Sequence, residues 1–307
     1  MGMVNEQDSQ MGEELLGDVF TRSYGRVWKR NIDDEEVARL AVVGIGPFGA
    51  RQVQMLSRTH PDLSCHEIRF DPQSYGLAEM KAVRDVARAS DLLFIVSGFD
   101  DPQCKDVFKV VADSARESGV PIIGVVPDNQ HYIGLLPFVN SMWPVSHRSF
   151  GGDLASMTPA LESGDDWVGY ALRHLVSTLT NIFTHKGIIG IDYDDVIETL
   201  KTGTIGKLAV GVASEQVSIA DASLIALNLL ADQGAAIEIA TGAIFYLTGY
   251  YTQLLIEDLD ATTIDVNERV NKGVKVIVGM QPMETTECNV MVTIMALSEA
   301  ECGLLLA

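Results

Sequence analysis

Gly44-Ile45-Gly46-Pro47-Phe48-Gly49 is the stretch whose residue types and spacing point most directly to chemistry. An apolar run from Arg39 to Val43 leads into it, and an amphipathic stretch with Val53 and Leu56 follows. Glycines at a turn between strand and helix permit a tight bend and close backbone approach. Free amides at the helix start can then hold phosphate. Asp71 ends the next expected strand, where a dinucleotide-binding Rossmann unit keeps its ribose-binding carboxylate. Gly44, Gly46, Gly49 and Asp71 together permit an NAD-binding reading. A second candidate is acidic. Asp192, Asp194 and Asp195 lie directly after a long helical stretch that stops at Gly187. From the residues alone, Asp192 or Asp195 caps a helix beginning near Val196. Gly98, followed by Asp100 and Asp101, is a third; there the carboxylates read as a solvated turn.

Regular elements must hold these residues. Val168, Ala171, Leu172, Leu175, Val176, Leu179, Ile182 and Phe183 follow the i, i+3, i+4, i+7 rhythm of an amphipathic helix. The spacing predicts a helix from about Asp165 to His185, with His174 and His185 on its surface. His185 and Lys186 complement its carbonyl end, and Gly187 stops it. Upstream, strands are expected at Leu40 to Val43, His66 to Asp71, Leu92 to Val96 and Ile122 to Val126. Helices carrying Leu77, Met80, Val83 and Val86, then Val107, Val110, Val111 and Ala115, alternate with them. That order means an α/β fold with a doubly wound, Rossmann-like parallel sheet covered on both faces. Further on, a short strand is expected at Val139 to Trp143, another at Leu208 to Ala213, and a helix at Ile219 to Ala231. Strands near Ala236 to Leu247, Val274 to Met280 and Asn289 to Leu297, with a helix around Ile264 to Asn271, complete a smaller α+β part.

The 307 residues allow a substantial core, and 47% are hydrophobic with no apolar run of membrane-spanning length. Met1 to Asp18 has neither a basic nor an apolar leader region, so a cytoplasmic protein is expected, without membrane insertion. The 4 cysteines show no CxxC spacing and read as reduced thiols, with no metal site. With 42 acidic and 22 basic residues the net charge is -20, a surface that repels nucleic acid and anionic membrane. Arg26, Lys29 and Arg30, with Tyr24 and Trp28, read as an arm lying on the acidic body.

Gly187-Ile188-Ile189-Gly190-Ile191-Asp192-Tyr193-Asp194-Asp195 resembles the loop G-L-I-N-x-D-F-x-D that follows the central helix in the FtsZ branch of the tubulin/FtsZ superfamily. The resemblance runs in order from about residue 38 to 298. Val43 to Ala50 matches the family's first phosphate loop, and Asp91 to Gly98 the strand before its main phosphate loop. Ser163 to Val168 matches the start of the central helix, where Asp165 would read the guanine edge. Val274 to Gly279 and Asn289 to Ile294 match two late strands. The resemblance implies three parts: an N-terminal tail or arm at 1–37, a nucleotide-binding-type domain with the central helix at 38–185, and an activation-type domain at 186–307. It implies head-to-tail filaments with itself or an FtsZ relative, and GTP or GDP with Mg held by Gly44, Gly46, Gly49, Gly98 and Asp165. Asp192 and Asp195 would then be the catalytic pair donated to the neighbouring subunit. The chain ends within ten residues of its last expected strand, so the family's long membrane-adaptor tail is not expected.

The departures from the family all touch phosphate. Its main loop, G-G-G-T-G-T-G, is here Gly98-Phe99-Asp100-Asp101-Pro102-Gln103-Cys104. Proline removes an amide donor, and two carboxylates sit where polyphosphate would lie. Like charges near 4 Å cost about 4 kcal/mol at an effective dielectric of 20, a penalty Mg could reduce. Pro47 and Phe48 fill space that glycines leave open. The family's G-A-N-P segment is missing, and near its guanine-side Asn this chain offers only Ser146. The expected function is an FtsZ/tubulin-like assembly protein with GTP binding weakened or lost. An active GTPase hydrolysing GTP at the subunit interface is the alternative, and an NAD-binding protein the second.

Overall fold

A computed structural model describes residues 38–68, 77–99, 101–152, 167–185, 187–250, 273–283 and 290–299, with scattered positions between 253 and 270. The first strand, β1 (Leu40–Ile45), runs straight into α1 (Gly46–Thr59). β2 (Ser64–Ile68), α2 (Leu77–Ala89), β3 (Leu92–Ser97), α3 (Gln103–Arg116) and β4 (Ile122–Pro127) continue the alternation. A stretch of 3-10 turns at Gln130–Phe138 leads to β5 (Ser141–Val145) and a short β6 (Phe150–Gly152). The central helix α4 (Trp167–Thr184) is followed by α5 (Tyr193–Leu200), β7 (Ile205–Val212), α6 (Ile219–Asp232), β8 (Gly242–Tyr250), β9 (Lys275–Met283) and β10 (Met291–Ser298).

These strands form a single hydrogen-bonded sheet in the order β2-β1-β3-β4-β5-β7-β10-β8-β9, with β6 beside β7. The β1 to β5 pairings are parallel, as the alternation requires, while β10 runs antiparallel to both β7 and β8. The strand order reverses between β1 and β3. In such sheets that switch point, at the carboxyl ends of the strands, is where ligands bind.

Two layers of core cover the parallel half. Leu172, Leu175, Val176, Leu179 and Ile182 of α4 pack with Val42, Phe94, Ile123, Trp143, Leu208 and Met295. The central helix therefore spans strands from both halves of the chain. Each such side chain contributes about 1.5–3 kcal/mol relative to exposure. On the other face Phe108, Val111 and Ala115 of α3 lie with Val83 against Val43, Ile95 and Val126. A third cluster joins Ala222, Ala226 and Leu230 of α6 to Phe245, Val292 and Ile294.

Several expected boundaries shift. β2 starts two residues early, at Ser64, because its outer positions are only partly buried and apolar alternation does not mark them. β5 runs Ser141–Val145, later than expected, since Asn140 is used as a side-chain acceptor for the Ile122 amide at 2.8 Å. Ile237–Ile239 forms a 3-10 turn, so β8 begins at Gly242. Val110 is 42% exposed and outside the core stripe of α3. The arm at 1–37 and half of the helix expected around 264–271 lie outside the described residues.

Candidate functional site

At the switch point the glycines serve chain packing. Gly46 has φ 70°, a conformation that favours glycine. A Cβ on Gly44 would stand 2.5 Å from the Gly49 carbonyl oxygen, and one on Gly49 2.5 Å from that of Val96. The two glycines thus bring α1 against β1 and β3. Pro47 stands in the first turn of α1 and supplies no amide, and no side chain caps this helix. Phe48 packs on Gly98, so that a Cβ there would lie 2.9 Å from the Phe48 Cβ.

The start of α3 is occupied as well. The Asp101 carboxylate accepts from the Gln103 amide at 2.9 Å, and the Cys104 amide donates to the Asp101 carbonyl at 3.0 Å. Asp101 therefore closes a local turn ahead of α3, with its carboxylate on the Gln103 amide. Its charge sits where the helix dipole favours an anion. Lys105 lies over the Phe99 ring, 6.0 Å from its centroid. Farther along the same strand ends, Lys207 Nζ pairs with Asp128 at 2.9 Å, and Ser146 accepts from the Arg148 amide at 3.2 Å in a capping box with Ser149. Asp71, Asp100 and Asp165 lie outside the described residues.

The acidic loop has a different construction. The Ile189 amide donates to the Met280 carbonyl at 3.2 Å, and the Met280 amide returns a bond to Ile189 at 3.0 Å. The Tyr193 hydroxyl donates to the Asp91 carbonyl at 3.1 Å, and its ring lies 5.1 Å from that of Phe183. Asp91 in turn accepts from Arg39 Nε and a terminal guanidinium nitrogen at 3.2 and 3.1 Å. Asp192 is exposed at the N-cap of α5, and its side chain makes no capping bond. Asp195 lies 2.6 Å from Lys275 Nζ, which is also 2.6 Å from Glu198. The structure brings Asp192 and Asp195 onto one loop end but gives them different surroundings. Neither side chain caps the helix near Val196. A cavity of about 700 Å³ opens at this same end, with Arg39, Asp62, His66, Asp85 and Thr184 in its wall.

His174 is not the surface residue its position on the helix predicted. It stacks with Tyr170 and meets Phe150 edge-on, with Nε2 2.9 Å from Thr293 Oγ1. Burial pushes its pKa down to about 4. His185 is exposed, as expected. No group of residues suited to holding a metal ion occurs among the described residues, and no described helix is long and apolar enough to cross a membrane.

A solved FtsZ of M. jannaschii, the W319Y mutant, superposes with a TM-score of 0.71 at 17% identity, covering 96% of this chain and 96% of that one. The chain has the tubulin/FtsZ fold. A CetZ from Methanosaeta thermophila follows at 0.60 and 13% identity, over 87% of this chain and 88% of that one. TubZ of Bacillus thuringiensis serovar israelensis, solved as GDP-form protofilaments, gives 0.53 at 12% identity, over 89% and 87%. In sequence, Cell division protein FtsZ 1 of Pyrococcus furiosus is 23% identical over 217 residues, 66% of this chain. The matched stretch spans 56% of that relative's length. No protein-family model matches the sequence. The tubulin/FtsZ fold covers β7 to β10 as well as the parallel half, which leaves the NAD-binding reading without support.

Proposed function

We propose that this chain is an FtsZ/tubulin-like assembly protein that has lost tight GTP binding while keeping an acidic loop to donate to a neighbouring subunit. The observation that carries this reading is the occupied switch point: Phe48 seated on Gly98, with the Asp101 carboxylate on the Gln103 amide at the start of α3. A polyphosphate entering there would displace an aromatic ring and meet a carboxylate. In head-to-tail assembly Asp192 and Asp195 would face the switch point of the next subunit. In a homopolymer that end is the occupied one, so the carboxylates meet no phosphate. In a mixed filament they meet the intact pocket of a relative, where a carboxylate can position water for hydrolysis. The reading therefore favours co-assembly with, or capping of, a relative's filament. The 38–185 and 186–307 division into nucleotide-binding-type and activation-type domains belongs to the same proposal.

One observation favours a second reading. The start of α1 carries no side-chain cap, which leaves that helix end open to an anion. On this reading Gly44, Gly46, Gly49 and Gly98 hold GTP with Mg, and the chain is a GTPase acting at its own subunit interface. Mixing the protein with an active FtsZ from the same cell separates the two. The first reading expects altered GTP turnover by the relative and negligible turnover by this chain alone. Substantial turnover by the isolated chain supports the second.

A further inference from the structure

The acidic loop is fixed on both sides of Asp192. Before it, Ile189 exchanges two backbone bonds with Met280 of β9, the last strand of the sheet order. After it, Tyr193 is tied to the Asp91 carbonyl, and Asp195 to Lys275 at the start of the same β9. Asp195 and Glu198 stand three apart on α5, a spacing that puts both carboxylates on one side of the helix. They converge on one ammonium, 2.6 Å from each, and Lys275 is held above the ordinary lysine pKa by its bond to Asp195 and then that to Glu198. A cation or water brought by a neighbouring subunit must compete with Lys275 for Asp195. For Asp192 there is no such competitor: it is exposed, makes no capping bond, and takes part in no ion pair among the described residues.

We propose that Lys275 is a positioning residue that divides the two carboxylates, withdrawing Asp195 into a clamp on β9 and leaving Asp192 as the group presented to a neighbour. This rests on the reading that the loop is donated in assembly. Asp195 then acts through the placement of α5, and Asp192 through direct contact.

The test uses the full chain in two measurements. Mixed with the cell's active FtsZ, Asp192→Asn should lose the wild-type effect on GTP turnover. Lys275→Met and Asp195→Asn should weaken it alike, and Lys275→Arg should restore it. If Asp195→Asn abolishes the effect while Lys275→Met leaves it whole, Asp195 is itself the donated group and the proposal falls. Hydrogen exchange on the protein alone reads the clamp without any partner. The Ile189 and Met280 amides should exchange roughly fivefold faster in Lys275→Met, the scale of losing a part-exposed ion pair, and remain unchanged in Asp192→Asn. Unchanged protection in Lys275→Met overturns the clamp. If the wild type has no effect on the relative's turnover, the assembly reading fails, and exchange alone decides the clamp.

Discussion

The two ends of the parallel sheet are built on opposite plans. At the carboxyl ends of β1 and β3 the chain turns on itself, with a ring on a glycine and the Asp101 carboxylate on one amide. Beyond the end of α4, anchored backbone holds one carboxylate in solvent. On the proposed function, the first end is the closed half of a site shared between subunits and the second is the presented half. Between them runs α4, whose Arg173 bonds Gln52 of α1 and whose Phe183 meets Tyr193 of the loop.

The largest test removes that shared support. Leu175 is fully buried in α4, and Leu175→Ala should cost about 2–5 kcal/mol by cavity formation, read from urea unfolding. Loss below 1 kcal/mol would mean that the helix is not the common support. Next is acid. His174 has a folded-state pKa near 4 against an ordinary 6.5. The unfolded chain therefore binds a proton that the folded chain refuses. The stability associated with His174 is intact above pH 6.5 and is lost as pH falls toward 4, up to about 3 kcal/mol. His174→Gln should flatten that slope in unfolding curves between those pH values. A slope unaltered by the substitution would contradict the placement of the ring.

Much of the fold was legible in the sequence because it follows periodicity. The heptad-like stripe from Ala171 to Ile182 is the stripe that α4 buries, and the apolar runs at Leu40, Leu92 and Ile122 are buried strands. The site was legible in part. Glycine spacing marked the turn between β1 and α1, and the departures from the family's loops singled out Phe48 and Asp101, which the structure sets at Gly98 and ahead of α3. The clamp was hidden, because nothing in the local pattern links Lys275 to an aspartate 80 positions earlier. His174 was missed for a related reason. Helical spacing assigns it to a polar flank, but β10 brings Thr293 and the chain brings Phe150 to cover it.

Smaller effects sharpen the contrast between the ends. Asp101→Ala should destabilise by about 1 kcal/mol, the scale of one side-chain hydrogen bond to a backbone amide, measured by chemical denaturation. Asp192→Ala should stay within about 0.5 kcal/mol of wild type, since its side chain makes no capping bond. Equal losses at both positions would erase the distinction between a bonded carboxylate and a presented one.

Calorimetric titration of the purified protein with GTP and Mg reads whether Phe48 and Asp101 keep polyphosphate out of the switch point. No saturable heat is expected at micromolar nucleotide; a micromolar dissociation constant, lost in a Gly98→Val variant, would overturn the proposed loss of tight GTP binding.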